Sequence, residues 1–488
     1  MTAAGLPAHI DVAQLYAQPG AQLPLGPSRL HVDGGRISRI EALQTLPPEA
    51  AHRLALPAPA NAHDHGRGLR SLAFGARDQT LETWLPELAL EPRVDPYLRA
   101  AVAFARMAEG GIAAANHCHN TQDGRALLRE AEGVARAARD TGLRIAFAVP
   151  FAGRNSVVYG PVEPLLARLP PADHARILAM RQPTRSLQEN LALTEQIAQL
   201  EHAGFSVQYG PVGPQWVDDQ ALAAVARASA DSGRRVHMHL FETRRQRDWA
   251  DATYPGGLLR HLDGLGLLSP RLTLAHAVWL RDEECALLAE RGVTVSANTS
   301  SNLRLRSGAP AWARYRNAGL RHGLGLDGMS LDDDEDMLRE MRLAWHQMAT
   351  ATDDAEGTLA ALFDAACVQG RHSITGDDGG GRLQPGAPAD VLVLDMQRIT
   401  RDRVHADKPD LLELLLGRAT RRDIVQLVVA GRTLVQDGRC ISVDLPALEQ
   451  ALTAEARAAA AALPPDTAAI ARLRQALRAH LACPGCAD

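Results

Sequence analysis

The chain has 488 residues, 46% hydrophobic and 22% charged, with Lys+Arg 52 against Asp+Glu 57 and a formal net charge of −5. That length exceeds one small domain and suits a large barrel with a second module. The near balance of charge gives no electrostatic basis for a nucleic-acid or membrane partner, and no stretch reaches the roughly 20 apolar residues of a membrane span.

Residues 1–24 lack a basic start followed by an apolar run, so no signal peptide is read and a cytoplasmic location is the expectation. The cysteines (Cys118, Cys285, Cys367, Cys440, Cys483 and Cys486) are scattered and read as reduced thiols. Cys483-Pro-Gly-Cys486 has C-x-x-C spacing but no partner pair, and reads as a solvated tail. Lys408 is the only lysine, so no Schiff-base or carboxylated bridging lysine is available before it.

Residues 1–57 are rich in Pro and Gly, with short strand-like pieces at Arg29–Val32 and Arg36–Ile40, and read as strands of a small β module. From residue 58 short apolar runs alternate with helix-periodic stretches. The runs are Pro57–His65, Gly111–His117, Leu143–Val149, Phe205–Tyr209, Arg235–Leu240, Leu272–His276, Val293–Ala297 and His322–Leu326. Between them lie helical segments such as Tyr97–Glu109, Gly124–Asp140, Leu187–His202, Asp219–Ser232, Glu283–Arg291, Ala311–Ala318 and Glu335–Met348. Eight strands alternating with helices predict a (β/α)8 TIM barrel over 58–380; spacing alone leaves a doubly wound open sheet as the alternative. After Gly379-Gly380-Gly381, strand-rich pieces at Asp390–Leu394 and Ile424–Val429 are placed to pair with the N-terminal strands, giving one β module from 1–57 and 381–445. Residues 446–488 form an Ala-rich helical tail, broken at Leu463-Pro464-Pro465.

In such a barrel the chemistry lies at the C-terminal strand ends. The first strand ends in His63 and His65, which project from one side because side chains alternate with period two. The second ends in His117 and His119, the fifth in His237 and His239 followed by Glu242, the sixth in His276 and the eighth in Asp327. Imidazoles and a carboxylate gathered on one rim suit Zn²⁺ or Fe²⁺. Such an ion lowers the pKa of a bound water from ~15.7 towards ~7, making hydroxide near neutrality.

The stretches Asn61-Ala62-His63-Asp64-His65, His239-Leu240-Phe241-Glu242-Thr243, Leu274-Ala275-His276-Ala277, Ser300-Ser301-Asn302-Leu303 and Gly323–Gly328 resemble the amidohydrolase superfamily. The likeness is to its mononuclear deaminase and chlorohydrolase branch. Gly386–Leu394 resembles that family's return into a β-sandwich. The resemblance, over about residues 25–445, implies a barrel with a small β-sandwich and one divalent ion, Zn²⁺ first and Fe²⁺ second. It implies His63, His65, His239 and Asp327 as ligands, choosing His239 over His237 where spacing does not. Asp327 would also take a proton from the water, His276 would hydrogen-bond the water or oxyanion, and Glu242 would carry protons to the ring nitrogen or leaving group. The implied reaction is hydrolytic deamination of an aminated nitrogen heterocycle. The alternatives are an amide, urea or cyclic-amide hydrolase or a chlorohydrolase using the same site. A non-catalytic scaffold is the reading from another class, and the intact residue set argues against it. A small-molecule substrate and a homodimer or larger homo-oligomer complete the implication.

Several positions depart from the family pattern. Phe205-Ser206-Val207-Gln208-Tyr209 lacks the lysine of dinuclear members, favouring one metal. Val212 stands where many relatives carry a substrate-contacting histidine, and Ala297-Asn298-Thr299 replaces a common His-Asn-Pro. Tentative substrate contacts are His117, His119, Arg154, Asn155 and Trp84. Asp332-Asp333-Asp334-Glu335-Asp336 reads as a helix N-cap and acidic first turn, not a second metal site.

Overall fold

The structure is a computed structural model, and it describes residues 8–153, 157–180, 184–328, 334–405 and 411–482. Its strands in chain order are β1 (His9–Val12), β2 (Gln14–Leu15), β3 (Ser28–Asp33), β4 (Arg36–Ala42), β5 (Arg53–Pro57) and β6 (Ala60–Asp64). Then come β7 (Ala114–Cys118), β8 (Arg144–Phe151), β9 (Phe205–Pro211), β10 (Val236–Leu240), β11 (Leu272–His276), β12 (Thr294–Ala297) and β13 (Arg321–Leu324). The last are β14 (Val391–Asp395), β15 (Ile424–Val429), β16 (Arg432–Gln436) and β17 (Arg439–Cys440).

Strands β6 to β13 make one parallel sheet in chain order, with helices in every crossover. Closure brings β13 back beside β6: the Asp327 N–H donates to the His63 carbonyl at 2.9 Å, just past the paired segments. The sheet is therefore a (β/α)8 barrel, and the open-sheet alternative falls. The run Pro57–His65 contains one barrel strand, and its first residue, Pro57, ends the preceding strand of the small sheet. Residues Arg53–Pro57 belong to the small sheet and Ala60–Asp64 to the barrel. Pro57 and Pro59 lack the N–H a continuing ladder needs, so the chain changes sheets between them. Small residues at the strand starts, Ala60, Ala114 and Ala146, let Ile374 plug the barrel floor, which leaves the opposite rim for the histidines.

Side chains reinforce that closure. Asn61 Oδ1 accepts from the Leu326 N–H at 3.0 Å, while Asn61 Nδ2 donates to Asp64 Oδ2 at 2.7 Å. Asp64 is fully buried, which pushes its carboxyl up to about 7, and it accepts from the Gly66 and Gly328 N–H groups at 2.7 and 3.0 Å. Asn61→Ala strips an acceptor from two buried N–H groups, those of Leu326 and His63, and a donor from a buried carboxyl. It is expected to cost roughly 2–5 kcal/mol, read as a lowered urea midpoint; an unchanged midpoint would remove this account of closure.

Strands β1, β3 and β4 form an antiparallel sheet, with Gly34 and Gly35 supplying the left-handed turn between β3 and β4. A six-stranded sheet runs β17-β16-β15-β14-β5-β2, so residues from both sides of the barrel share it; Leu56 of β5 pairs with Leu392 of β14. Ile10, Val12, Leu30 and Ile37 of the first sheet pack with Ala55, Val391, Val393 and Val428 of the second in one apolar layer, a β-sandwich arrangement.

Helix Leu445–Ala462 lays Leu445, Leu452 and Ala456 against Val102 and Ala105 of helix Pro96–Glu109. Helix Thr467–Leu481 packs Leu473 and Leu477 on Val157, Val158, Leu165 and Ile177. Arg474 pairs with Glu87, and Arg478 donates to Gln79 at 3.0 Å. This helix thus braces the loop that follows β6. Among the described residues no helix is long and apolar enough to cross a membrane. In the acidic run, Asp336 caps helix Met337–Ala349 by accepting from the Arg339 N–H at 3.2 Å; Asp332 and Asp333 lie outside the described residues.

Candidate active site

Three imidazoles and one carboxylate converge where β6, β10 and β13 end. One ligand-type atom from each of His63, His65, His239 and Asp327 lies within 4.8 Å of all the others. Their tautomers follow from their outer partners. His65 Nδ1 lies 2.7 Å from the Cys118 carbonyl and His239 Nδ1 lies 2.9 Å from the Val212 carbonyl. A carbonyl only accepts, so each Nδ1 carries the proton and each Nε2 is bare. His63 Nδ1 lies 2.7 Å from His237 Nε2, which gives His63 the same tautomer when His237 accepts.

Burial lowers all three pKa values, that of His63 to about 4, so the rings are neutral near pH 7. Burial alone would raise Asp327, but its carboxyl is held well below the usual range by charge and proton donation from the side of His63 and His65, which neutral rings with bare Nε2 atoms do not supply. The set contains a conflict. Asp327 Oδ1 stands 2.8 Å from His63 Nε2 and 3.1 Å from His65 Nε2, and each of these nitrogens has given its ring's one proton to the other side. Lone pairs then face a carboxylate. A divalent cation among the four atoms resolves this, and three imidazole nitrogens with one carboxylate oxygen are a donor set that Zn²⁺ accepts.

A neighbouring group, His63, Cys118 and His237, also brings ligand-type atoms together. Burial pushes the Cys118 thiol up to about 12, so it holds its proton and offers no thiolate. In β9 the side chain of Gln208 donates to Asn116 Oδ1 at 2.9 Å inside the barrel, where a bridging lysine is absent.

Two further groups stand over the ligands. His276 Nε2 lies 3.7 Å from Glu242 Oε2 and 3.9 Å from Asp327 Oδ2, between two carboxyl groups. His276 Nδ1 is 2.8 Å from Asn302 Oδ1, which orients the ring. Ser301 Oγ donates to Asp327 Oδ2. Glu242 is buried, and burial pushes its carboxyl up to about 7, with His276 opposing and Asp327 and Glu82 adding to the rise. Its backbone N–H donates to Gln246 Oε1 at 2.9 Å, and Gln246 Nε2 donates to Gln215 Oε1 at 2.6 Å, fixing the segment that carries it.

The backbone at this rim is strained. Phe241, His276, Ala277 and Asp327 have φ of 46, 71, 47 and 64°, left-handed values that non-glycine residues seldom adopt. Each costs of order 1–3 kcal/mol and persists only where surrounding contacts impose it. Turning the chain this way at the end of β10, β11 and β13 aims Glu242, His276 and Asp327 at one point.

That point is the floor of a cavity of about 330 Å³, a volume suited to a small molecule. His65, His239, Glu242, His276 and Asp327 line it, with Leu81, Trp84, Leu85, Met180, Trp216 and Leu305 as apolar walls. Of the tentative contacts, Trp84 and His119 line the cavity. His117 does not; its ring packs beside Phe104 and Phe147, with Nε2 3.0 Å from His119 Nδ1. His119 Nε2 is held 2.8 Å from Glu130 Oε2. Arg154 and Asn155 lie outside the described residues. Reading residue types missed the Cys118 and Val212 carbonyls, which set two tautomers, and Arg67, Trp216 and Gln215 in the cavity wall. Only Arg67, two residues past His65 and flanked by Gly66 and Gly68, lay close enough to the histidine motif to leave a signal.

The model of the Amidohydrolase family matches residues 54–434. A 5-methylthioadenosine/S-adenosylhomocysteine deaminase of Symbiobacterium thermophilum is 30% identical over 407 residues, 80% of this chain and 83% of that one. A 5'-deoxyadenosine deaminase of Methanothermobacter thermautotrophicus is 29% identical over 282 residues, which cover 57% of this chain and 63% of the relative's length. Among solved structures, an adenosine deaminase from Xanthomonas campestris with bound zinc superposes with a TM-score of 0.74 at 23% identity, over 93% of this chain and 98% of that one.

Proposed function

This chain belongs to the amidohydrolase family, and from that premise we propose that it is an aminohydrolase that releases ammonia from an aminated nitrogen heterocycle. The observation that carries the reading is one cavity floor where three members of a ligand quartet, His65, His239 and Asp327, meet a buried carboxyl that keeps its proton near neutrality. A histidine stands between Asp327 and that carboxyl. His63, His65, His239 and Asp327 would hold one divalent ion, Zn²⁺ by their chemistry, and the ion would supply Lewis acidity and a water of lowered pKa.

The chain's own groups move the protons. Glu242, protonated at its carboxyl, donates to the ring nitrogen next to the amino-bearing carbon, which makes that carbon accept water. Asp327 takes the proton from the attacking water through a carboxylate oxygen, a role open to it because its lowered pKa keeps it ionised. His276, oriented by Asn302, stands beside the oxygen that adds to the ring. The proton on Asp327 then passes to the amino group, the C–N bond breaks to release ammonia, and the proton of the added hydroxyl returns to Glu242. Leu81, Trp84, Leu85 and Leu305 keep bulk water from the floor. In this reading residues 58–380 form the catalytic barrel, 1–57 and 381–445 the β-sandwich, and 446–488 a C-terminal helical tail.

The test is ammonia release from amino-pyrimidines, purines, pteridines and triazines, with ureas and amides alongside. One ring class is expected to yield ammonia with about one equivalent of metal bound. Dialysis against a chelator is expected to stop turnover, and added Zn²⁺ to restore it. Silence on every ring with turnover of a urea or amide, or release of chloride from a triazine, overturns deamination. Turnover that survives complete metal removal overturns the ligand set.

A further inference from the structure

The end of the barrel where the strands begin carries a second cavity, of about 530 Å³. It opens at the start of β9, between Arg144, the first residue of β8, and the pair Arg234-Arg235 that leads into β10. Ile374, the plug of the barrel floor, also lines it, which sets this cavity at the opposite end of the barrel from the histidine rim.

The cations here are poorly matched by acids. Arg235 donates from Nε to the Ser373 carbonyl at 3.0 Å and from Nη2 to the Pro270 carbonyl at 3.3 Å. The charges that act on it are those of Arg321 and Arg271, whose own partners are the His372 ring, the Gly292 carbonyl and the Ser229 hydroxyl. None of these partners is an anion. Burial and the two neighbouring cations lower Arg235 to about 10, so it stays protonated near neutrality. Arg144 reaches Asp390 Oδ1 only at 3.4 Å, and its buried Nε has no acceptor among the described residues. Arg234 Nη1 donates to Glu201 at 2.6 Å, but its buried Nε also lacks an acceptor and stands 4.0 Å from Glu195. The two carboxylates that line the cavity are already engaged. Glu201 accepts a second bond from the Val207 N–H at 2.7 Å. Asp378 accepts from Arg371 Nη2 at 2.7 Å and from the Gly380 N–H at 2.9 Å.

A guanidinium does not shed its proton, so a buried one is costly unless an anion meets its charge. Carbonyl partners satisfy its N–H groups and leave that charge standing. Several guanidinium forks around one cavity suit a tetrahedral oxyanion, whose oxygens accept from more than one of them. The volume is that of a small-molecule site, so an organic group can accompany the oxyanion.

We propose that this cavity binds a phosphate-type oxyanion, held by Arg235 and by the Nε–H groups of Arg144 and Arg234. The ligand is inorganic phosphate or a small phosphomonoester, and it meets no group of the catalytic rim. The site is independent of the aminohydrolase reading, and its occupancy stabilises the fold by mass action.

Calorimetric titration of inorganic phosphate into the metal-loaded, full-length protein tests this, with ionic strength held by chloride. Saturable binding of about one equivalent and a raised thermal midpoint are expected. Arg235→Gln is expected to weaken binding about tenfold or more with metal content unchanged, and Arg235→Lys to recover part of it. Arg144→Gln leaves both carbonyl bonds of Arg235 in place and reports independently, with a smaller loss. Glu201→Gln removes a negative charge from the wall and is expected to tighten binding. Glycerol phosphate separates the two sources: tighter binding than phosphate marks a phosphomonoester site, and equal or weaker binding marks inorganic phosphate. Absence of saturable binding overturns the proposal and leaves these arginines as caps on carbonyls. So does binding that survives both Arg235→Gln and Arg144→Gln; its loss on metal removal would then place the phosphate on the catalytic floor.

Discussion

An Asp327→Asn enzyme is expected to turn over about a thousandfold more slowly than wild type, or worse, while folding normally. The estimate follows from the roles gathered on one side chain. General-base catalysis by a positioned group contributes typically ~10²–10⁴ in rate, and asparagine also lacks the charge that balances a cation among His63, His65 and His239. The fold survives because the backbone bond from Asp327 N to the His63 carbonyl is untouched and the amide occupies the same volume. Circular dichroism and the thermal midpoint give the control, and kcat with metal content gives the readout. Near-wild-type kcat in a variant that still binds metal would remove Asp327 as the base.

Glu242→Gln tests the acid. An ordinary carboxyl at ~4.3 is less than about 1% protonated at pH 7, whereas burial brings Glu242 to about 7, where half of it carries a proton. The sign follows directly. A raised pKa keeps the acid form below pH 7 and loses it above, so wild-type kcat/KM declines through and beyond that pH. The glutamine variant has no proton to deliver at any pH. It is expected to lose roughly 10²–10⁴ in kcat, and its residual rate is expected to lack the alkaline decline. A variant that keeps the wild-type pH profile would assign that limb to another group.

Much of this was legible in the residues. Eight apolar runs separated by helical periods gave the barrel its order, and histidines with an aspartate at the strand ends marked the rim. The failures have physical causes. The first barrel strand reads as beginning too early, at Pro57 instead of Ala60, because hydrophobicity runs on unbroken from the small-sheet strand before it. His117 and His119 look equivalent by spacing, yet only His119 reaches the cavity; the His117 ring is 1% exposed and packs edge-on against Phe104. Val212 draws notice as a missing histidine, while its working atom is a main-chain oxygen that any residue supplies. Arg67 and Trp216 are distant in sequence, and nothing local says they share a wall. Asn61 and Asp64 flank His63 inside a motif that draws the eye to its histidines, so their part in closing the barrel is visible only once Leu326 and Gly328 come round to meet them.

The brace from helix Thr467–Leu481 has a consequence for how the molecule is made. Arg474 clamps Glu87, a residue 387 positions earlier, on the loop that brings Leu81, Trp84 and Leu85 to the cavity. At a ribosomal pace of ~5–20 residues per second, some 20–80 seconds separate the synthesis of the two. Throughout that interval the growing chain has its first histidine pair but no clamp on the wall beside it. The reaction chamber is thus finished late in synthesis, by a segment that contributes no atom to the chemistry.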